Sequence, residues 1–481
     1  MNALIDAIEN KQNFTETENG AVTLKSTLKA TVDFFGLGGA LRTRTDEDVI
    51  SLFSKAFTED PLVAMKILFF IRDIRGGSGE RKTFRTCFKW LAKEYPKVAI
   101  KNLQNVVEFG RWDDLFCTRG TDIWKDEVLP MIENEWLAGY TSSAPSLAWK
   151  WFPSNNTSSK ETRAIAEEIR SFLGISPRDY RKKLSEKRAE LDVVERKMCA
   201  SKWNEINYKG VPSKAALNYK GAFEKHDGVR YGQFIADVKS GKTTINAGTL
   251  YPYDIVEKCF AGDESDTLDV LWNSLPNYIE NDSSDGLIVA DVSGSMSGRP
   301  MAVSISLAMY ISERNKGAFK DYFMTFSETP SLQKVVGNNI REKVRNLQRA
   351  DWGLSTDLES VFNLILDSAV ENNIPASEMP KKLYIVSDME INRACNNPNQ
   401  TIYENINSLY KQAGYERPEL IFWNVNARNT HTPVRHDENG TCLVSGCSPS
   451  ILKSLLSGRI VSPEQVMLDT INVNRYSVVT I

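Results

Sequence analysis

Apolar side chains recur at helical spacing through about the first 280 residues, then gather into short continuous runs. In the first part, Leu62 to Ile71 is apolar on nearly all sides, so the pattern predicts a buried helix. Asp60-Pro61 supplies its N-cap and first-turn proline. Phe84, Phe88 and Leu91 fall at i, i+4 and i+7 on the next helix. Pro96 opens another, with Ala99, Leu103, Val106 and Val107 on one face and Gly110 as its stop. Further helical patterns run through 121–137, 160–173, 178–200, 212–225, 228–240 and 265–280. Connections are short and no strand pair stands out. Successive short amphipathic helices predict stacked helix pairs, an α-helical repeat of the HEAT-like kind, although no fixed repeat length is visible.

The texture changes at the turn-rich stretch Asn281-Asp-Ser-Ser-Asp-Gly286, which divides the chain into expected domains 1–283 and 284–481. Beyond it, strand candidates are Leu287–Ala290, Tyr322–Phe326, Leu383–Val386, Leu420–Val425 and a shorter Cys442–Val444. Helix candidates at 300–315, 357–371, 402–413 and 448–457 alternate with them. Continuous apolar strands separated by helices predict a parallel sheet covered on both faces, an α/β doubly wound domain.

Composition adds limits. The chain has 481 residues, 41% hydrophobic and 25% charged, which is a globular balance with room for two or three domains. Its net charge of −3 argues against a uniformly basic protein and leaves room for a local basic surface. No apolar run is long enough to span a bilayer, and Met1 to Thr15 lacks the apolar core of a signal peptide. The seven cysteines are odd in number and scattered, a pattern of reduced thiols. A cytoplasmic protein without a membrane segment is the expectation.

The richest chemistry lies in Asp291-Val-Ser-Gly-Ser-Met296, directly after the run Leu287–Ala290. In a doubly wound sheet, ligands bind at the C-terminal ends of the strands. Two more polar loops belong there: Gly353-Leu-Ser-Thr-Asp357 and Ser387-Asp388. Asp291, Ser293, Ser295, Thr356 and Asp388 are all hard oxygen donors. They suit Mg²⁺ first, and Ca²⁺ or Mn²⁺, rather than zinc. These residues and their order resemble the metal-ion-dependent adhesion site of von Willebrand factor A domains, over roughly 284–481. The resemblance implies that Ser293, Ser295 and Thr356 are direct ligands, with Asp291 and Asp388 direct or acting through water. It also implies a domain that binds partners through an acidic side chain on the metal and does no catalysis.

Two basic stretches mark the first half. Phe70 to Lys82 has a glycine turn, but Arg81 replaces the glycine a phosphate-binding loop requires before Lys82. Arg72, Arg75, Arg81, Lys82, Arg85 and Lys89 form a cationic cluster with few acids near it in sequence. Residues 160–245 hold 19 Lys and Arg against 12 Asp and Glu. Arg178, Arg181, Lys182, Lys183, Lys187 and Arg188 are bunched, with Tyr180, Trp203, Tyr208, Tyr219 and Tyr231 interleaved. Cations neutralise phosphates and aromatic faces stack on unpaired bases; a solvated helix face with core aromatics gives the same composition.

Arg72-Asp-Ile-Arg-Gly-Gly77, Gly110-Arg-Trp-Asp-Asp114, Leu191-Asp-Val-Val-Glu195 and Ile245-Asn-Ala-Gly-Thr-Leu-Tyr-Pro252 resemble the TROVE/Ro ribonucleoprotein family, in a Ro-related branch. That resemblance implies helical repeats closed into a ring and joined to an A domain. It implies binding of small non-coding or misfolded RNA by a basic cavity and outer surface, without enzymatic activity. The acidic overall balance departs from a strong RNA binder. The alternative is a metal-dependent protein-interaction scaffold with no RNA role. A metal-dependent hydrolase would need Asp357 or Glu390 as its general base. His431, His436, Cys442 and Cys447 are the residue types zinc accepts, at a spacing that matches no standard zinc pattern. Asp351-Trp352 precedes the threonine loop and is a candidate to pack beside the metal site.

Overall fold

A computed structural model describes residues 12–141, 146–280, 285–326, 329–349, 355–393, 399–455 and 460–481. Most of the boundary stretch 281–286, the pair Asp351-Trp352 and Cys395 lie outside them.

The first half is mostly helical. Asp60 caps the helix Pro61–Arg72 as its sequence predicts, its carboxylate accepting from the Val63 amide at 3.0 Å. Phe69, Phe84, Phe88 and Phe109 pack ring to ring at the centre of this region. The expected single helix from Pro96 is two, Pro96–Lys101 and Leu103–Phe109, broken at Asn102. The Asn102 side chain donates to the carbonyls of Val98 and Thr480, so a tertiary contact with the chain end occupies the break. The expected helix 178–200 is also two, Pro177–Glu190 and Val194–Cys199, interrupted where Asp192 turns left-handed at φ 50°. Conversely, 212–225 and 228–240 join into Ser213–Lys239, kinked at Asp227.

The second half is built on a mixed six-stranded sheet. Its strands are β3 (Gly286–Ala290), β4 (Tyr322–Thr325), β5 (Leu332–Lys334), β6 (Lys382–Ser387), β7 (Glu419–Asn424) and β8 (Thr441–Ser445). The order is β5-β4-β3-β6-β7-β8, parallel throughout except for β5, which runs antiparallel to β4. Every residue of β3 and β6 is buried, as expected of central strands covered on both faces.

One expectation fails at the N-terminus, where a strand pair does exist. β1 (Phe14–Glu16) and β2 (Val22–Leu24) form an antiparallel hairpin. It packs on the sheet half, with Leu24 and Thr432 exchanging backbone hydrogen bonds at 3.0 and 2.8 Å. The chain end makes the opposite crossing. The helix Pro463–Ile471 and the residues after it pack on the helical half, where Arg475 and Tyr476 both donate to Asp73. The late helix Pro252–Phe260 lies against Arg299–Arg314 of the sheet half. It also brings the Tyr251 hydroxyl 3.5 Å from the Ser78 carbonyl. An early loop and a late segment of the helical region therefore touch. Gly79, at φ +66°, permits that approach, because a Cβ there would sit 1.9 Å from the Tyr251 oxygen.

Candidate metal centre and basic cleft

β3 delivers Asp291 to its C-terminal end, where the Asp291 amide still donates to Val386 of β6 at 2.9 Å. The carboxylate is fully buried; it accepts from the Ser293 amide at 2.9 Å and the Ser387 hydroxyl at 2.6 Å. A short 3-10 turn, Gly294–Met296, then brings the Ser293 and Ser295 hydroxyls within 3.1 Å of each other. Asp388 follows β6 and is likewise buried, its Oδ1 accepting from the Glu390 amide at 3.2 Å. The loop bearing Thr356 is tied to the same region by the Asn392 amide, which donates to the Thr356 carbonyl at 2.9 Å. Thr356 itself is buried.

The electrostatics suit a cation. Burial pushes the Asp291 carboxyl up to about 6, against the lowering effect of its hydroxyl and amide donors. Burial also raises Asp388, with the Ser295 hydroxyl and the Glu390 amide working the other way. Asp388 Oδ2 is buried and, among the described residues, no hydrogen bond reaches it. An anionic oxygen there carries a desolvation cost that the Arg428 guanidinium, 3.8 Å away without a hydrogen bond, offsets only in part and that a divalent ion would offset further. The donor set is thus two carboxylates with neutral hydroxyls. Among the described residues, no group of three or more His, Cys, Asp or Glu side chains is placed to hold a metal. A hydroxyl-rich set falls outside that pattern and suits a hard ion.

Other candidates are engaged elsewhere. Asp357 caps the helix Leu358–Glu371, accepting from the Ser360 amide and hydroxyl at 3.0 and 2.6 Å. Glu390 accepts from the Glu18 amide and the Asn429 amide group at 2.7 Å each, and pairs with His431 at 3.1 Å. Both carboxylates proposed as general bases are therefore held by structural contacts. The zinc candidates are dispersed among separate partners. His436 pairs with Glu464, Cys442 is buried in β8, and the Cys447 sulfur accepts from Arg42 at 2.9 Å.

The first basic stretch is not a free cationic surface. Arg72 is 2% exposed, and its Nη2 lies 2.6 Å from Asp114 Oδ2. Arg85 pairs with Asp113 at 2.9 Å and Asp114 at 2.7 Å. Arg75 donates to the Glu108 carbonyl, and Lys82 to the carbonyls of Arg42 and Arg44. Arg81 remains half exposed, 4.0 Å from Asp113. The acids come from Gly110–Asp114, close in space and distant in sequence. Gly110 lets them in, since a Cβ there would lie 2.5 Å from Asp114 Oδ2 and 3.0 Å from Arg72 Nε.

The second stretch divides. Tyr180 is wholly buried, stacked on Trp136 at 5.0 Å, and donates to the Pro153 carbonyl. Tyr208 and Tyr231 are buried too, so these aromatics are core and not platforms for bases. Lys187 is buried and paired with Glu190; Lys183 lies 3.3 Å from the centre of the Tyr140 ring. Arg178, Arg181 and Lys182 are exposed on the helix Pro177–Glu190. Arg181 faces a cleft of about 560 Å³ with Arg188, Arg196, Ser154, Asn156 and Ser185, and among the described residues no acid lines it. Arg188 is fixed there by the carbonyls of Trp149 and Phe152 and the Ser154 hydroxyl. Sequence reasoning missed Arg196, which lies in the next helix and donates to the Ser185 carbonyl at 2.6 Å. A larger cleft of about 840 Å³ holds Arg85, Lys89, Lys93 and Arg119, but Asp46, Glu94, Asp113 and Glu161 balance them.

Residues 17–127 and 139–285, more than half of the chain, match the family model described as a domain of unknown function, DUF2828. The chain belongs to the DUF2828 family. In this DUF2828 chain, residues 285–477 match a second model, the domain of unknown function DUF7788. An uncharacterized protein of Acanthamoeba polyphaga mimivirus is 29% identical over 501 residues, covering 95% of this chain and 87% of the relative. Among solved structures, the Ro (RSR) protein of Deinococcus radiodurans aligns with a TM-score of 0.48 and 14% identity. That alignment covers 92% of this chain and 99% of the other.

Proposed function

We propose that this DUF2828 chain is a non-enzymatic, cytoplasmic RNA-binding protein. Its helical half takes small structured or misfolded RNA. Its sheet half takes a second partner, through that partner's acidic side chain, on a divalent ion held by Asp291, Ser293, Ser295, Thr356 and Asp388. Mg²⁺ is the first candidate for the ion. One observation carries the RNA reading: the acid-free cleft of Arg181, Arg188 and Arg196. Three arginines lining one cleft, with no acid among its described lining residues, favour a phosphate backbone. The exposed Arg178 and Lys182 extend that surface. Contact between Tyr251 and Ser78 supports a closed, ring-like helical body. The six described cysteines are free thiols, which supports a reducing compartment. Among the described residues, no helix is long and apolar enough to cross a membrane.

Fluorescence anisotropy with a labelled small structured RNA tests this. Arg181→Glu with Arg196→Glu weakens binding and lowers the slope of log K against log salt by about 1.4, at ~0.7 for each phosphate no longer neutralised. Unchanged affinity and slope reject the cleft as the RNA site. The scaffold reading without RNA is favoured by the buried Asp388 oxygen that receives no hydrogen bond among the described residues. In that case chelator, Ser293→Ala or Asp388→Ala abolishes partner capture while no RNA binds at any salt concentration.

A further inference from the structure

The sheet half carries a cation of its own beside the candidate metal ligands. After β7, the chain passes over the strand ends and places Arg428 Nη1 3.8 Å from Asp388, facing Oδ2. That is the buried oxygen that no hydrogen bond reaches among the described residues. At 3.8 Å the guanidinium is too far for a hydrogen bond but close enough for direct charge interaction. The opposite side of the same guanidinium is held by Glu18, with Nη2 to Oε2 at 2.6 Å.

Glu18 sits at the tip of the β1–β2 hairpin, and the loop after Asp388 fixes that tip in place. Thr17 Oγ1 donates to the Ile391 carbonyl at 2.7 Å, and the Glu18 amide to Glu390 Oε2 at 2.7 Å. Asn19 Nδ2 donates to the Glu390 carbonyl at 2.6 Å, the Arg393 amide to the Asn19 carbonyl at 3.2 Å, and Gly20 bridges Asn392. Glu390 is anchored in turn by Asn429 and His431. Segments almost 400 residues apart in the chain therefore meet at the rim of the site, with Arg428 between two carboxylates.

Resting on the metal reading above, we propose that Arg428 is a built-in competitor for the divalent ion at Asp388, and that Glu18 on the N-terminal hairpin sets how strongly it competes. A divalent ion on Asp388 repels the guanidinium and drives it toward Glu18. Without Glu18, Arg428 loses its carboxylate partner on that side and closes on Asp388. Metal binding and hairpin docking are thereby coupled, and the coupling is reciprocal. A surface ion pair with no such role would contribute little and would leave metal affinity alone. Arg428 and Glu18 are 37% and 42% exposed in their side chains, so substitutions there leave the core intact.

The test is titration of Mn²⁺ into the full-length chain, with free Mn²⁺ read by electron paramagnetic resonance. Arg428→Gln binds Mn²⁺ about tenfold more tightly, the size of repulsion between a divalent and a unit charge ~6 Å apart in a water-like medium. Glu18→Gln binds it several-fold more weakly. The double variant lies closer to Arg428→Gln than to Glu18→Gln, because the Glu18 carboxylate, which also accepts from Asn429, acts mainly through Arg428. Arg428→Lys, which keeps the charge, stays near wild type, and melting curves of the metal-free variants confirm intact folds. Mn²⁺ binding that is unchanged or weakened in Arg428→Gln overturns this inference and leaves the metal reading standing. No Mn²⁺ binding in any variant, wild type included, overturns the metal reading and this inference with it.

Discussion

Asp114 is wholly buried and carries two guanidiniums, those of Arg72 and Arg85. Removing it leaves Arg72 charged and enclosed with no counter-ion. Asp114→Ala therefore costs about 3–5 kcal/mol of unfolding free energy, the range for breaking a buried pair by one partner. A urea denaturation midpoint reads this directly; a loss under ~1 kcal/mol shows that the network contributes little beyond a surface pair. Replacing exposed Arg178 by Ala changes the midpoint hardly at all. The contrast shows what a single sequence hides. Arg72 and Arg178 are equally basic in composition, yet Arg72 pairs with an acid 42 residues away. Gly110-Arg-Trp-Asp-Asp114 is distinctive in sequence for the same reason, since it supplies the acids to a cluster that looks free of them.

At the scale of elements, the tail after Pro463–Ile471 depends on Asp73. Burial alone raises that carboxyl; the Arg475 guanidinium, the Arg75 amide and the Tyr476 hydroxyl outweigh it and hold it below the usual carboxylate range. A carboxyl lowered on folding contributes stability that is fully present above its unfolded pKa, about 3.9, and lost as pH falls through the folded value. The tail therefore loosens below about pH 4. Arg475→Ala loosens it at neutral pH and removes that acid-dependent loss. Amide hydrogen exchange of residues 474–481, followed between pH 7 and pH 3 with intrinsic rates subtracted, reads both effects. Acid-independent protection in the wild type contradicts this. The apolar runs made β3, β6, β7 and β8 legible to within about a residue at each end. β1, β2 and β5 were not legible, because each is three residues long and acquires its strand character from a partner. The breaks at Asn102 and Asp192 and the kink at Asp227 are likewise set by tertiary contacts and local backbone, not by hydrophobic period.

At the scale of the molecule, the two halves exchange ends. The hairpin at 14–24 completes the sheet half, and the tail at 474–481 seals the helical half through Asp73, Asn102 and Asn105. Residues 284–481 expressed alone lack the hairpin and expose the apolar face of the tail. They are expected to aggregate or to melt well below the full chain, whose scan is expected to show one cooperative transition. Equal melting temperatures contradict an interlocked architecture. Four of the five oxygen ligands read from the sequence lie on the two loops after β3 and β6, and their own hydrogen bonds join them. That much was legible because strand-end loops in a parallel sheet converge whatever their distance in sequence. Arg428 and Arg196 were not, since neither sits in a motif and each matters only for what it faces. The proposed RNA binding by the helical half rests on the arginine cleft. It is tested most directly by purifying the full-length chain from its native cell without nuclease, beside the Arg181→Glu, Arg196→Glu variant. RNA held in the cleft gives a raised ratio of absorbance at 260 to 280 nm and recoverable small RNA in the wild type, both lost in the variant. A wild-type preparation free of nucleic acid, or equal RNA in both, contradicts it.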